Sequence, residues 1–239
     1  MEILGCPVPD DCWVDIENDI WCRAEPDGVT FAIGVLASQA AFAGRYTSVR
    51  FREVEGIIAP GRSLATLESV RSTVPFRIPV TARVVARNDA LAQRPKLLND
   101  SPYERGWVAR IVPSDPTEPG RLLARPSAVR EILEARIQER RIHCYPAAPD
   151  VEMYEMGSEC SATLAKLDEE LTHRPAEDIV LLVTDDPTSP IELVRWSDRT
   201  GHSVLHHRIE GNLHHFLIRK EAAPVPRIRR ATTGEMGTG

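Results

Sequence analysis

The chain has 239 residues, 42% of them hydrophobic and 27% charged, the composition of a globular protein long enough for two small domains. Lys and Arg number 29 against 35 Asp and Glu, and the formal net charge of −6 argues against a nucleic-acid binder. No apolar run approaches the roughly 20 residues needed to span a bilayer, so no membrane partner is expected.

Met1 to Cys6 has neither the basic nor the apolar segment of a signal peptide. Five cysteines, an odd number, in such a chain predict reduced thiols and a cytoplasmic location. Cys6-Pro7-Val8-Pro9, followed by Asp10 and Asp11, reads as a flexible N-terminal arm. From residue 13 to about 112 the chain is rich in Val, Ile and Thr. It is broken by Gly28, Gly44, Gly56, Gly61 and Pro79, which predicts many short strands. Pro113 to Pro126 is expected to form turns. Ser127 is a candidate N-cap for a helix to about Arg141, with Val129, Ile132, Leu133 and Ile137 on one face.

The domain boundaries expected are 1–142, a linker at 143–150 containing Tyr145-Pro146-Ala147-Ala148-Pro149, a second unit at 151–220 and a disordered tail at 221–239. In the second unit Val151 to Met156 reads as a strand. Cys160 to Leu171 reads as a helix with Leu164, Leu167 and Leu171 at helical spacing. Ile179 to Thr184 is a continuous apolar strand, as in a central position. Asp185 to Pro190 is a turn feeding a helix through Ile191, Leu193, Val194 and Trp196. Ser203 to Ile209 and Leu213 to Arg219 pair as a hairpin. The order β-α-β-α-β-β predicts a two-layer α/β sandwich.

Five of the seven histidines lie in that hairpin: His202, His206, His207, His214 and His215. With 206 and 207 expected opposite 214 and 215, His206, His207, His214 and His215 are candidates for a transition metal. Strand alternation lets at most two or three converge. Cys12, Cys22 and Cys144 show no metal-ligand spacing, and no glycine-rich phosphate loop is visible.

Leu64-Ala65-Thr66-Leu67-Glu68-Ser69-Val70-Arg71 resembles the lipoyl-attachment hairpin of glycine-cleavage H proteins, where Glu-Ser-Val-Lys presents the lysine. The resemblance extends through Asp15 to Arg23, read as the opening strand, and through Val29 to Gly34. It continues through Ala82 to Leu91, Pro95 to Tyr103 and Gly106 to Ile111, and so covers about residues 13 to 115. It implies an all-β barrel-sandwich hybrid followed by a C-terminal helix. Glu68, Ser69, Val70 and Arg71 form a degenerate lipoyl site, because Arg71 stands in place of the lysine. A guanidinium with pKa above about 12 is not acylated, so no cofactor is expected. An exposed arginine at a hairpin tip is ordinarily solvated surface. Lys96 is not at the attachment position.

The second unit resembles TusA-type sulfur carriers. Met156-Gly157-Ser158-Glu159-Cys160, Asp185-Asp186-Pro187 and Phe216-Leu217-Ile218-Arg219-Lys220 carry that likeness. Ser161, Ala162 and Thr163 replace the family's Pro-x-Pro after the cysteine. The resemblance implies that Cys160, at a helix start where unpaired N–H groups favour an anion, is a persulfide carrier with a lowered pKa. Glu159 would work against that anion.

Together the two resemblances imply an accessory or sulfur-relay protein in sulfur or C1 metabolism, a carrier or adaptor more than a stand-alone enzyme. Its implied partners are sulfurtransferases and lipoyl-dependent or C1-metabolism enzymes. The alternative is a non-catalytic scaffold of a multienzyme complex, a pseudo-H protein.

Overall fold

A computed structural model of the protein describes residues 1–222, so the tail expected from residue 221 lies outside the described residues from 223 onward. The chain divides into two compact units, Met1–Ala148 and Pro149–Gly239.

The first unit opens with β1 (Glu2–Ile3) paired to β2 (Cys6–Pro7). Here the structure corrects the sequence reading, because Cys6 forms a disulfide with Cys144 across 138 residues. The N-terminal segment is therefore no free arm. Ile3, Cys6, Val8 and Cys12 are buried in one apolar cluster with Leu133 and Ile137. Spacing along the chain could not reveal a thiol partner that only the fold brings near. The division between the units falls between Ala148 and Pro149, within the stretch 143–150.

β3 (Trp13–Asp15) and β4 (Ile20–Ala24) form a hairpin, so the stretch from Asp15 to Arg23 is a strand end, a turn and a second strand rather than one strand. The Asp15 carboxylate makes the turn by accepting the N–H groups of Glu17 and Asn18 at 3.0 and 3.2 Å. β5 (Phe31–Val35) follows, then α1 (Ala37–Ala43), β6 (Tyr46–Phe51) and β7 (Ile57–Ile58). The hairpin of β8 (Ser63–Ser69) and β9 (Thr73–Arg77) leads to β10 (Ala82–Arg87). Two single-turn helices, α2 (Ala90–Gln93) and α3 (Leu97–Asp100), precede β11 (Trp107–Pro113).

These strands make a six-stranded antiparallel sheet, β3-β4-β5-β11-β10-β7, and a three-stranded one, β6-β8-β9. Ile33, Val49, Leu67, Phe76, Leu98 and Ile111 share the core of this β-sandwich. Both faces of the six-stranded sheet are covered at its centre: Ile20, Cys22, Phe31 and Ile33 join this core, while Trp21 and Ala32 join the cluster that holds Leu133 and Ile137.

Residues 113–126, expected as turns, contain α4 (Glu118–Leu122), with Pro119 in its first turn where no N–H is required. The following helix starts without a Ser127 cap. A 3-10 turn over Pro126–Val129 runs into α5 (Arg130–Glu139). Val129, Leu133 and Ile137, four apart, are buried, whereas Ile132 is 50% exposed and lies off that face.

The second unit contains β12 (Val151–Glu155), α6 (Cys160–Thr172), β13 (Ile179–Thr184), α7 (Ser189–Thr200), β14 (Ser203–Glu210) and β15 (Leu213–Arg219). Sheet order is β12-β13-β15-β14, with only the first pair parallel. β13 is a central strand, which is why its run is apolar throughout. Leu167, Leu171, Val180, Leu182, Leu193, Trp196, Phe216 and Ile218 form the core. Ile191 and Val194 are exposed, so Leu193 and Trp196 alone mark the buried stripe of α7 among the four expected.

The last hairpin also differs from expectation. A two-residue loop, Gly211-Asn212, pairs Glu210 with Leu213, which places His207 opposite Phe216 and His206 opposite Leu217. The histidines are therefore offset and do not face one another directly.

Candidate functional site

At the β8–β9 tip, Ser69 closes the turn. Its Oγ accepts the N–H groups of Arg71 and Ser72 at 3.3 and 3.1 Å. Three contacts then fasten the tip to the end of α1. The Val70 N–H donates to the Arg45 carbonyl at 3.0 Å. Arg71 Nη1 donates to the Phe42 carbonyl at 2.9 Å and, more weakly, to that of Ala41 at 3.5 Å. Gly44 terminates α1 at φ +72°, and a Cβ there would lie 2.9 Å from Val70 Cγ2. Carbonyls in the last turn of a helix lack intrahelical donors and carry partial negative charge, so a guanidinium suits them. Arg71 is exposed, yet it is bonded to the protein rather than simply solvated. Glu68 is ion-paired with Arg50 on the adjacent strand.

Cys160 is the first residue of α6 and is 8% exposed. Its N–H donates to Asp186 Oδ2 at 2.8 Å. Asp186 Oδ1 in turn accepts both the N–H and the hydroxyl of Thr188 at 2.7 Å. Asp185 accepts the Gly157 N–H at 2.8 Å, tying the preceding loop to the same turn. The bonds from Thr188, assisted by the Cys160 N–H, hold Asp186 below the usual carboxylate range. It is an anion fixed where an anion is favoured.

This corrects the expectation of a lowered thiol pKa. Burial pushes the Cys160 thiol up, and the charges of Asp186 and Glu192 push the same way, against a hydrogen bond with Thr188. Glu159 is not among the causes; its backbone occupies the N-cap position in an extended conformation without a side-chain cap. Asp186, Thr188 and Glu192 were not expected beside the cysteine: the sequence reading took Asp185-Asp186-Pro187 as a turn and a family landmark and gave it no role at Cys160. An Asp followed two residues later by Thr after a central strand is the available signal, because that pattern builds a self-bonded acidic turn.

The structure brings together His207 and His214. Their Nε2 and Nδ1 atoms lie 3.1 Å apart and the rings stack at 5.3 Å between centroids. His207 also stacks on Phe216 at 4.3 Å. Alternation puts His206 and His215 on the opposite face. Among the described residues no group of three or more His, Cys, Asp or Glu has metal-holding geometry, so the four-histidine candidate reduces to one pair. Cys12 and Cys22 are buried; burial pushes the Cys12 thiol up to about 12 and raises Cys22 as well.

A β-sandwich whose hairpin tip is presented beside a short helix, followed by an α/β unit with a cysteine opening its first helix, defines a carrier-type protein of two modules. The model of the glycine cleavage H-protein family matches residues 14–136, and that of sulfurtransferase TusA matches residues 155–220. The chain is 35% identical over 147 residues to glycine cleavage system H protein 5 of Aquifex aeolicus, covering 60% of this chain and 98% of that protein. It is 30% identical over 139 residues to probable glycine cleavage system H protein 2 of Saccharolobus solfataricus, covering 57% of this chain and 93% of that protein. A crystal structure of a glycine cleavage system H protein from Mycobacterium marinum aligns with a TM-score of 0.46 at 20% identity, covering 53% of this chain and 98% of that one. The chain belongs to the glycine cleavage H-protein family, and its second unit is TusA-like.

Proposed function

We propose that the protein is a non-lipoylated docking module whose TusA-like unit relays sulfur through Cys160, as an accessory in sulfur or C1 metabolism. The observation that carries this reading is the state of the tip. Residue 71 is an arginine with no acylable amine, and its guanidinium is engaged with the Phe42 carbonyl at 2.9 Å. Without a tethered arm, the H-like unit retains a surface for binding other proteins, and chemistry passes to the second unit. The partners that fit are sulfurtransferases and lipoyl-dependent or C1-metabolism enzymes, with neither nucleic acid nor membrane engaged. Among the described residues no helix is long and apolar enough to cross a membrane.

In the relay, the Cys160 thiolate attacks the outer sulfur of a donor persulfide. The donor S–S bond breaks, the donor leaves as a thiolate, and the proton lost by Cys160 ends on that leaving group. A cytoplasmic setting belongs to the same reading. The expectation of reduced thiols is then kept for Cys12, Cys22 and Cys160 and withdrawn for Cys6 and Cys144, whose bond has one fully buried sulfur.

Intact mass after incubation with a persulfide donor tests the relay. One added sulfur on the wild-type chain, absent from Cys160→Ser, is the expected result; no adduct overturns it. A lipoyl adduct on the native protein would overturn the non-lipoylated reading instead. A second reading, a scaffold without chemistry, is favoured by the raised thiol and by Asp186 occupying the start of α6. An absent adduct together with co-purifying enzymes would select it.

A further inference from the structure

Beside the root of the hairpin tip, the first unit contains a cavity of about 330 Å³ lined by Arg45, Tyr46, Arg94, Lys96 and Asp100, among others. Three cations face one carboxylate there, in a chain whose formal net charge is −6. Lys96 reaches that carboxylate at 3.5 Å. Arg45 Nε is buried and has no hydrogen-bond acceptor among the described residues. Buried donors are almost always satisfied, so an Nε–H left without an acceptor is costly. The wall is rigid, because Asn99 Oδ1 holds the Tyr46 N–H at 2.9 Å while its Nδ2 grips the Ala40 and Gly44 carbonyls at 3.0 and 2.9 Å.

We infer that this cleft binds a small organic oxyanion, its phosphate or carboxylate head taken by Arg45 and Arg94. Guanidinium groups match such heads with paired N–H donors, and a concave cationic wall concentrates anions. The cavity volume falls at the small end of ligand pockets and exceeds what an inorganic ion fills, which calls for an organic body on the ligand. Arg45 joins cleft and tip, since its carbonyl also accepts the Val70 N–H at 3.0 Å. This site is independent of Cys160, so its failure leaves the sulfur reading standing.

The test is an NMR titration of the full chain with inorganic phosphate and, separately, with citrate, at low ionic strength. Saturable shifts at the amides of residues 45–47 and 93–100 are expected. Affinity should fall by about tenfold in Arg45→Gln and in Arg94→Gln, the loss of one charge-assisted contact. A stronger response to phosphate assigns a phosphate head, and to citrate a carboxylate head. Arg94 is exposed, so its variant remains informative if Arg45→Gln unfolds. No saturable shift at millimolar probe, or unchanged affinity in Arg94→Gln, overturns the proposal.

Discussion

Asp186 Oδ2 accepts the backbone N–H of Cys160 at 2.8 Å, so a carboxylate of the chain itself occupies the start of α6. In a sulfur carrier that position would favour a thiolate or persulfide anion. Here the carboxylate competes for it, and the thiol is raised. Any relay at Cys160 would therefore run slowly until a partner displaces or neutralises Asp186.

Asp186→Asn keeps the shape of the side chain and removes its charge. The Cys160 thiol should then titrate lower, and each unit of pKa raises the thiolate fraction by about tenfold where the thiol is mostly protonated. Alkylation by iodoacetamide at neutral pH, followed by mass spectrometry, should be faster in the variant by several-fold. An unchanged rate would show that burial alone controls the thiol.

Arg71→Lys puts an acylable amine at the hairpin tip while Glu68, Ser69 and Val70 remain in place, which tests the proposed loss of an attachment site. Incubation with a lipoate ligase and lipoate should add one lipoyl group to this variant and none to the wild type, read by intact mass. Arg71→Ala should lower stability by about 1 kcal/mol or less, because an exposed cation at a helix C-terminus contributes only that much.

Reduction of Cys6–Cys144, or Cys144→Ser, frees a loop of 138 residues. The expected loss is about 2–5 kcal/mol, seen as a lower urea midpoint for the first unit. Should the wild type melt identically with and without reductant, the bond is not present in the protein as purified.

The second unit should lose stability on mild acidification. Burial lowers the pKa of His207 and of His202, helped by His214 and His206 for the first and by Lys220 for the second. The unfolded chain then binds more protons near neutrality, so stability falls as pH drops below about 6.5 and levels off below the lowered folded values. Thermal melts at pH 7.5 and 5.5 should differ, and His207→Phe should shrink the difference without abolishing it.

Much of this was legible in the chain. The motif Glu68-Ser69-Val70-Arg71, through its resemblance to the H-protein hairpin, located the tip between β8 and β9. The runs at 160–171, 179–184 and 213–219 announced their elements, because periodicity reports burial directly. Ile132, Ile191 and Val194 misled, since an apolar side chain states a preference and the packed neighbours decide the face.

The sequence by itself determined the two modules and their order, because the motifs that resemble each family are carried by residue identity and short-range spacing. Only the tertiary structure decided that Cys6 meets Cys144, that Arg71 turns back onto Phe42, and that Asp186 sits against Cys160. Those partners lie 138, 29 and 26 residues apart, and contacts at such separations are set by how sheets and helices pack. Whether a thiol is paired or its charge tolerated follows from that packing.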